Sequence, residues 1–236
     1  GIGMSALARY FKAMGKEVSG YDKTPTKLTD EMISEGIHIH FDENVERIGP
    51  EVRSQESDVL VVYTPAVPKE HPELIYFQQN NFNIKKRSEV LGMITEHTFT
   101  IAVAGTHGKT TTSSMIAHIL KSSGVDCSAF LGGITQNYNT NLLLSKNVEL
   151  SKHTKVVVEA DEYDRSFLTL HPDIAVITSI DADHLDIYGD KKHMHESYNL
   201  FAKQVKKGGT LIAKKGTEEI LGGVSANIIS YSQRAN

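Results

Sequence analysis

Apolar residues along this chain fall into two kinds of stretch, short continuous runs and longer segments of helical period, and the two alternate. The runs at 57–64 (SDVLVVYT), 99–104 (FTIAVA), 155–160 (KVVVEA) and 173–180 (DIAVITSI) are rich in β-branched residues. They lack polar alternation, as strands buried on both faces of a parallel sheet do. Shorter strands are expected at 17–21, 82–85, 128–131, 209–213 and 227–231. Helical spacing predicts helices over 4–11, 26–35, 71–79, 88–97, 112–123, 191–207 and, briefly, 217–221. The first is expected to stop near Gly15 and the fifth at Gly124, each a C-terminal glycine. In that fifth helix Met115, Ile116, Ile119 and Leu120 are expected to share the buried side. The polar stretch 136–141 reads as loop. Strand–helix alternation of this kind predicts an α/β fold of parallel sheets covered on both faces. A boundary near Glu96–Thr98 divides it into domains 1–97 and 98–236.

The strand at 99–104 runs directly into Gly105-Thr106-His107-Gly108-Lys109-Thr110-Thr111 and then into a helix. Strand, glycine turn, Lys-Thr, helix is the layout of a phosphate-binding loop: backbone amides close around phosphate oxygens at the positive end of a helix. Lys109 is then expected to reach β- and γ-phosphates, and the Thr110 hydroxyl to ligate Mg²⁺. The usual pattern has its first glycine five residues before the second. Here that position is Val103, and the glycine falls at Gly105 instead.

Two further apolar strands end in acid, VVVEADEYD and VITSIDADH. In a parallel sheet those ends share an edge with the phosphate loop. Glu159, Asp161, Asp183 and His184 are therefore candidates to converge on a metal bound to a triphosphate. Mg²⁺ takes hard oxygen ligands, commonly one or two carboxylates plus phosphates. A histidine among them fits a water-mediated contact or a second-site ligand.

The first 22 residues read as the second half of a dinucleotide-type unit: Gly1-Ile2-Gly3 turn, helix, strand, then Asp22. A glycine turn with no strand ahead of it implies that a first strand belongs upstream. The Pro65-Ala66-Val67-Pro68 segment follows a strand's carboxyl end. It either stiffens a turn or forms part of a ligand edge.

Composition narrows the class. With 236 residues, 39% hydrophobic and 23% charged, the chain is expected to be water-soluble and to have a sizeable core. A net charge of −4 without a long basic run excludes a generic nucleic-acid binder. Cys127 is the single cysteine, so no intramolecular disulfide forms, and its apolar neighbourhood suggests a buried thiol. No apolar run approaches the roughly 18 residues of a membrane-spanning helix, and no signal-peptide pattern is visible, so the cytoplasm is the expected compartment.

Taken together, these motifs resemble the Mur ligases, ATP-dependent amide-bond-forming enzymes of bacterial peptidoglycan synthesis. GIGMS resembles the tail of their N-terminal glycine loop, and AGTHGKTTT matches their ATP loop, displaced glycine included. EADEYDRSF and DADHLDIYGD match their two metal-strand motifs in order and spacing. The resemblance covers essentially the whole chain. It implies a Rossmann-like UDP-sugar-binding domain, a P-loop-type parallel-sheet ATPase domain, and a C-terminal ligase domain absent from this sequence. It implies ATP and Mg²⁺ as cofactors, with residues 105–111 around the nucleotide, Lys109 on the transferring phosphoryl group, Thr110 and Glu159 on one magnesium and His184 on a second. Gly1, Gly3, Met4, Ser5, Asp22, Thr64, Pro65 and Ala66 would face the UDP-sugar, Asp22 serving the ribose or a nearby loop. His107 in place of asparagine, with the Met-Ser start, points to the branch that joins L-alanine to UDP-N-acetylmuramate through an acyl phosphate. The branch that recycles a murein tripeptide onto the same sugar nucleotide, and a module that binds both nucleotides without ligating, are the alternatives.

Overall fold

The computed structural model describes residues 1–54, 58–181, 190–217 and 220–232. The chain divides into two compact units, Gly1–Val90 and Leu91–Asn236.

The second unit is built on one seven-stranded sheet. Its strands are β5 (Phe99–Ala104), β6 (Cys127–Thr135), β7 (Thr140–Leu143), β8 (Lys155–Glu159), β9 (Ile174–Ile177), β10 (Thr210–Lys214) and β11 (Asn227–Tyr231). They lie in the order β11-β10-β9-β5-β8-β6-β7. Every neighbouring pair is parallel except β6 and β7. The continuous apolar runs take the centre: Ala102, Val103, Ala104, Val156, Val157, Val158, Ala175 and Ile177 are all buried. Register pairs Val103 with Glu159 and Ala104 with Ile177, so β5, β8 and β9 end side by side. Cys127 is a free, buried thiol, and burial pushes its pKa up.

Three expectations change here. The helix after β5, α6 (Lys109–Ser122), starts at Lys109 rather than at residue 112. Its buried stripe is Ser113 and Ala117 flanked by Ile116 and Leu120, packed on Ala129, Leu131, Leu143 and Val157. Those four positions recur at three- and four-residue spacing, and the small pair lets the helix lie close to the sheet. Met115 and Ile119 point outward instead, 59% and 60% exposed. Second, β6 continues through Gly132 and Gly133 and turns back as β7, with a register shift between Phe130 and Thr135. The expected 136–141 loop is reduced to the tight turn of this antiparallel edge hairpin, and Asn139 takes the left-handed conformation (φ 50°) that such a turn needs. Third, the helix predicted to reach residue 207 ends at Lys203. Beyond it Lys206 folds back, donating its backbone N–H to Pro172 O and its ammonium to Thr95 O, Thr98 O and Asp173. Thr217 and Ile220 stand in non-helical chain, residues 218–219 lying outside those described.

The first unit carries α1 (Ile2–Ala13), β1 (Ser19–Tyr21), α2 (Lys27–Ser34), β2 (His38–His40), α3 (Pro50–Arg53), β3 (Leu60–Tyr63), α4 (Pro72–Gln79) and β4 (Asn83–Lys86), and the units divide within α5 (Arg87–His97). Among the described residues its strands form two separate parallel pairs, β1 with β2 and β3 with β4. Ala6, Leu7, Tyr10, Met32, Ile37, Leu74 and Phe82 are buried in it. α2 begins with a capping box in which Thr26 and Thr29 satisfy each other's backbone N–H. The expected Gly-Ile-Gly turn is mostly helix, since only Gly1 stands outside α1 as its N-cap. β2 was not anticipated, because its His-Ile-His sequence has too little apolar signal. Among the described residues no helix is long and apolar enough to cross a membrane.

Candidate active site

Where β5 ends, the chain turns sharply at Gly105, whose φ of +136° only glycine adopts readily. A Cβ there would run into Thr178 Oγ1 and the Ser179 backbone. The loop is then fixed to the chain beyond β9 (the segment 178–181). Thr106 donates its N–H to Ser179 O (3.1 Å) and shares a hydroxyl–hydroxyl bond with Ser179 Oγ (2.8 Å). Ser179 Oγ also accepts from His107 N (3.1 Å), Asp181 N donates to Thr106 Oγ1 (3.1 Å), and Thr178 Oγ1 donates to His107 O (2.5 Å). Gly108, in the left-handed conformation (φ 81°), caps α6 without any side-chain bond, and the first turn holds no acidic residue. The free N–H groups and the positive dipole end of α6 are therefore open to an anion. Thr110 and Thr111 lie exposed on that turn, and the His107 imidazole is exposed beside it.

Two glutamates face this turn from the end of β8. Glu159 accepts from Thr110 Oγ1 (2.9 Å) through Oε1 and from Gly132 N (2.9 Å) through Oε2. A Cβ on Gly132 would fall on that carboxylate, which would then have to move. Lys109 donates to Gly105 O and to Glu162 Oε1, both at 2.8 Å. Glu162 is a residue that the sequence reading did not single out. Its burial arises in the 3₁₀ segment Tyr163–Thr169 that it precedes, a turn with no period to read in advance. Asp161, expected to face the metal, is exposed and spends Oδ1 on the Tyr163 N–H (3.0 Å) as a local turn bond. Asp183 and His184 lie outside the described residues.

In the first unit the expected ligand positions are more open. α1 has no side-chain cap and no acid in its first turn. Gly3 faces the Arg87 guanidinium, which lies 3.2 Å from where a Cβ would stand, so Arg87 joins this edge although the sequence reading missed it. Asp22 follows β1, 3.2 Å from the Gly1 nitrogen, and accepts from Thr24 N (3.3 Å). Ser5 does not face outward: it is buried, and its hydroxyl donates to Ile2 O (2.7 Å). Met4 is half-buried. Thr64 closes a turn by accepting Val67 N (3.0 Å), which leaves Pro65 and Ala66 exposed.

Comparison with known proteins agrees with this layout. The family model of the Mur ligase middle domain matches residues 103–236, and that of the Mur ligase family catalytic domain matches 1–98. The chain belongs to the Mur ligase family. It is 56% identical over 215 residues to the UDP-N-acetylmuramate–L-alanine ligase of Flavobacterium johnsoniae, an alignment covering 91% of this chain and 46% of that protein. The chain thus spans about half the length of the curated relatives it matches. Among solved structures it resembles the UDP-N-acetylmuramate-alanine ligase of Thermotoga maritima, with a TM-score of 0.77 and 25% identity over all of this chain and 51% of the other. The fold also matches the UDP-N-acetylmuramate:L-alanyl-gamma-D-glutamyl-meso-diaminopimelate ligase from Neisseria meningitides, with a TM-score of 0.82 and 23% identity over 96% of this chain and 74% of that one.

For a Mur ligase the displaced glycine has a structural reason. Gly105 is where the loop must pass under Thr178 and Ser179, whereas Val103 is buried in mid-strand. The donor set also suits magnesium. Glu159 and Thr110 offer hard oxygens at the mouth of an open helix N-terminus, and the glycine at 132 keeps space for the carboxylate. Among the described residues no three His, Cys, Asp or Glu side chains gather closely enough to hold a metal ion. Mg²⁺ commonly takes one or two protein carboxylates and completes its shell with phosphate and water.

Proposed function

We propose that this chain carries the sugar-nucleotide and ATP-binding parts of a ligase that joins L-alanine to UDP-N-acetylmuramate, forming ADP and phosphate. The observation that carries the reading is the loop 105–111, held open at the start of α6 between Lys109 and the Thr110–Glu159 pair. Identity of 56% to ligases so named supports the L-alanine acceptor over a tripeptide. In this reading residues 1–97 bind the UDP-sugar and 98–236 bind ATP, in the cytoplasm, where ATP and the sugar nucleotide are made available.

A carboxylate and an amine do not condense at neutral pH. ATP supplies the activation: the lactyl carboxylate takes the γ-phosphoryl group, ADP leaves, and the alanine nitrogen then displaces phosphate from the acyl carbon. What the chain contributes is positioning and charge. Lys109 sets a positive charge at the loop, and the amides of residues 108–111 point along the helix axis toward phosphate oxygens. Thr110 and Glu159 would hold one Mg²⁺ and His184 a second, and their charge would offset that of the phosphates. Gly1, Gly3, Met4, Asp22 and residues 64–66 are the positions assigned to the UDP-sugar, and Arg87, beside Gly3, would offer a cation to its diphosphate.

Calorimetric titration with UDP-N-acetylmuramate, then with ATP and Mg²⁺, tests this. The reading requires that the chain bind both and discriminate against UDP-glucose. A folded protein that binds ATP·Mg²⁺ but treats the two sugar nucleotides alike would refute the substrate assignment.

A further inference from the structure

Lys109 is committed before any phosphate arrives. Its ammonium donates 2.8 Å to Gly105 O and 2.8 Å to Glu162 Oε1. The Glu162 side chain is 3% exposed and that of Lys109 15%, so the pair is largely out of water. An ammonium has three N–H bonds in a fixed tetrahedral array. With two of them placed, the third has a set direction. A buried carboxylate is tolerable only when paired and hydrogen-bonded, which keeps Glu162 and Lys109 together rather than letting either wander. Glu162 is also anchored by its backbone, since Arg165 N donates to its carbonyl (3.0 Å) as the 3₁₀ segment begins. The two glutamates that follow β8 therefore have different partners: Glu159 meets Thr110 and Gly132, and Glu162 meets Lys109.

We infer that Glu162 is the positioning residue of Lys109: it holds the ammonium against the Gly105 carbonyl so that one N–H remains, already aimed, for the phosphates. The inference rests on the ATP reading above and deepens it. Without Glu162 the lysine is a flexible four-carbon chain, and ordering it falls on nucleotide binding. An amide at 162 offers an oxygen acceptor of the same reach, so the position survives loss of the charge but not loss of the acceptor. A carboxylate acting only as a rival to phosphate for Lys109 predicts the opposite sign, because its removal would then tighten nucleotide binding.

Two readouts test this on the whole chain: calorimetric affinity for ATP·Mg²⁺, and the rate at which acetic anhydride acetylates Lys109 without nucleotide, followed by mass spectrometry. Glu162→Ala is expected to weaken ATP·Mg²⁺ binding by about tenfold or more and to speed Lys109 acetylation, while Glu162→Gln stays within about threefold on both. UDP-N-acetylmuramate affinity stays unchanged in either variant. Should Glu162→Ala lose its cooperative melt, Glu162→Met fills the buried space without an acceptor and carries the same expectation. A folded Ala or Met variant that binds ATP·Mg²⁺ as tightly as the parent, or more tightly, overturns the inference. A parent chain that binds no ATP overturns the nucleotide reading itself, a result separable from the first.

Discussion

The two ligand edges of this chain are constructed differently. At the end of β5 the loop is pinned by Thr106, His107, Thr178, Ser179 and Asp181 to one another, and its lysine and threonine already have carboxylate partners. The edge assigned to the sugar nucleotide has a turn bond at Thr64, an exposed Pro65-Ala66 tip, and Asp22 accepting from Gly1 N and Thr24 N. Phosphate transfer depends on placing charge accurately, and the pinned loop meets that need in advance. Holding a sugar nucleotide asks less of each side chain, and backbone groups beside glycines can do it. On the proposed function the contrast is one of preorganisation: the fold sets the first edge, and the ligand would complete the second.

The sharpest way to break the comparison is Lys109→Ala. It should reduce ATP·Mg²⁺ affinity by roughly a hundredfold, about 2.7 kcal/mol, and leave UDP-N-acetylmuramate binding nearly unchanged in paired titrations. Equal losses for both ligands in a folded variant would mean the two edges are not separate sites. Gly132→Ala comes next. Its Cβ overlaps the Glu159 carboxylate, the end of a flexible side chain, so the variant should displace that carboxylate at little cost in stability and need more Mg²⁺ for half-maximal nucleotide binding. An unchanged Mg²⁺ titration would free Glu159 from its assigned role. The smallest effect is expected at Asp126, which precedes β6 at the opposite end of the sheet from the phosphate loop. Burial pushes its carboxyl up, but the Lys146 N–H and the Lys121 ammonium outweigh that and hold it below the ordinary carboxylate range. A depressed folded pKa stabilises the protein above the unfolded value, about 3.9, and that contribution fades as pH falls through the folded value. Melting temperatures between pH 5 and pH 3 should thus drop a little less steeply in Asp126→Asn than in the parent.

How much of this was legible depended on the kind of signal. β5 and β11 stand where the residue pattern puts them, because a β-branched run bounded by turn residues allows little else. The loop, its lysine and Glu159 were readable from order alone, since strand ends in a parallel sheet share an edge. Glu162 was not, because Asp161 and Glu162 look alike in sequence and only the turn after β8 buries the second against Lys109. α6 misled for a related reason: its most apolar residues, Met115 and Ile119, face outward while a serine and an alanine take the core. β7 was hidden by Thr140 and Asn141, polar residues on an edge strand. Ser5 was assigned to the sugar nucleotide by resemblance alone, and its hydroxyl turns back to Ile2.

Hydrogen exchange measured with each ligand in turn tests the contrast most directly. The amides of Thr106 and His107, bonded to Ser179, should be protected in the free chain. ATP·Mg²⁺ should then add protection chiefly at residues 108–111, and UDP-N-acetylmuramate at the start of α1 and at 64–67. If the Thr106 and His107 amides exchange freely until ATP binds, the loop is ordered by its ligand, and the claim that the fold prepares it is wrong.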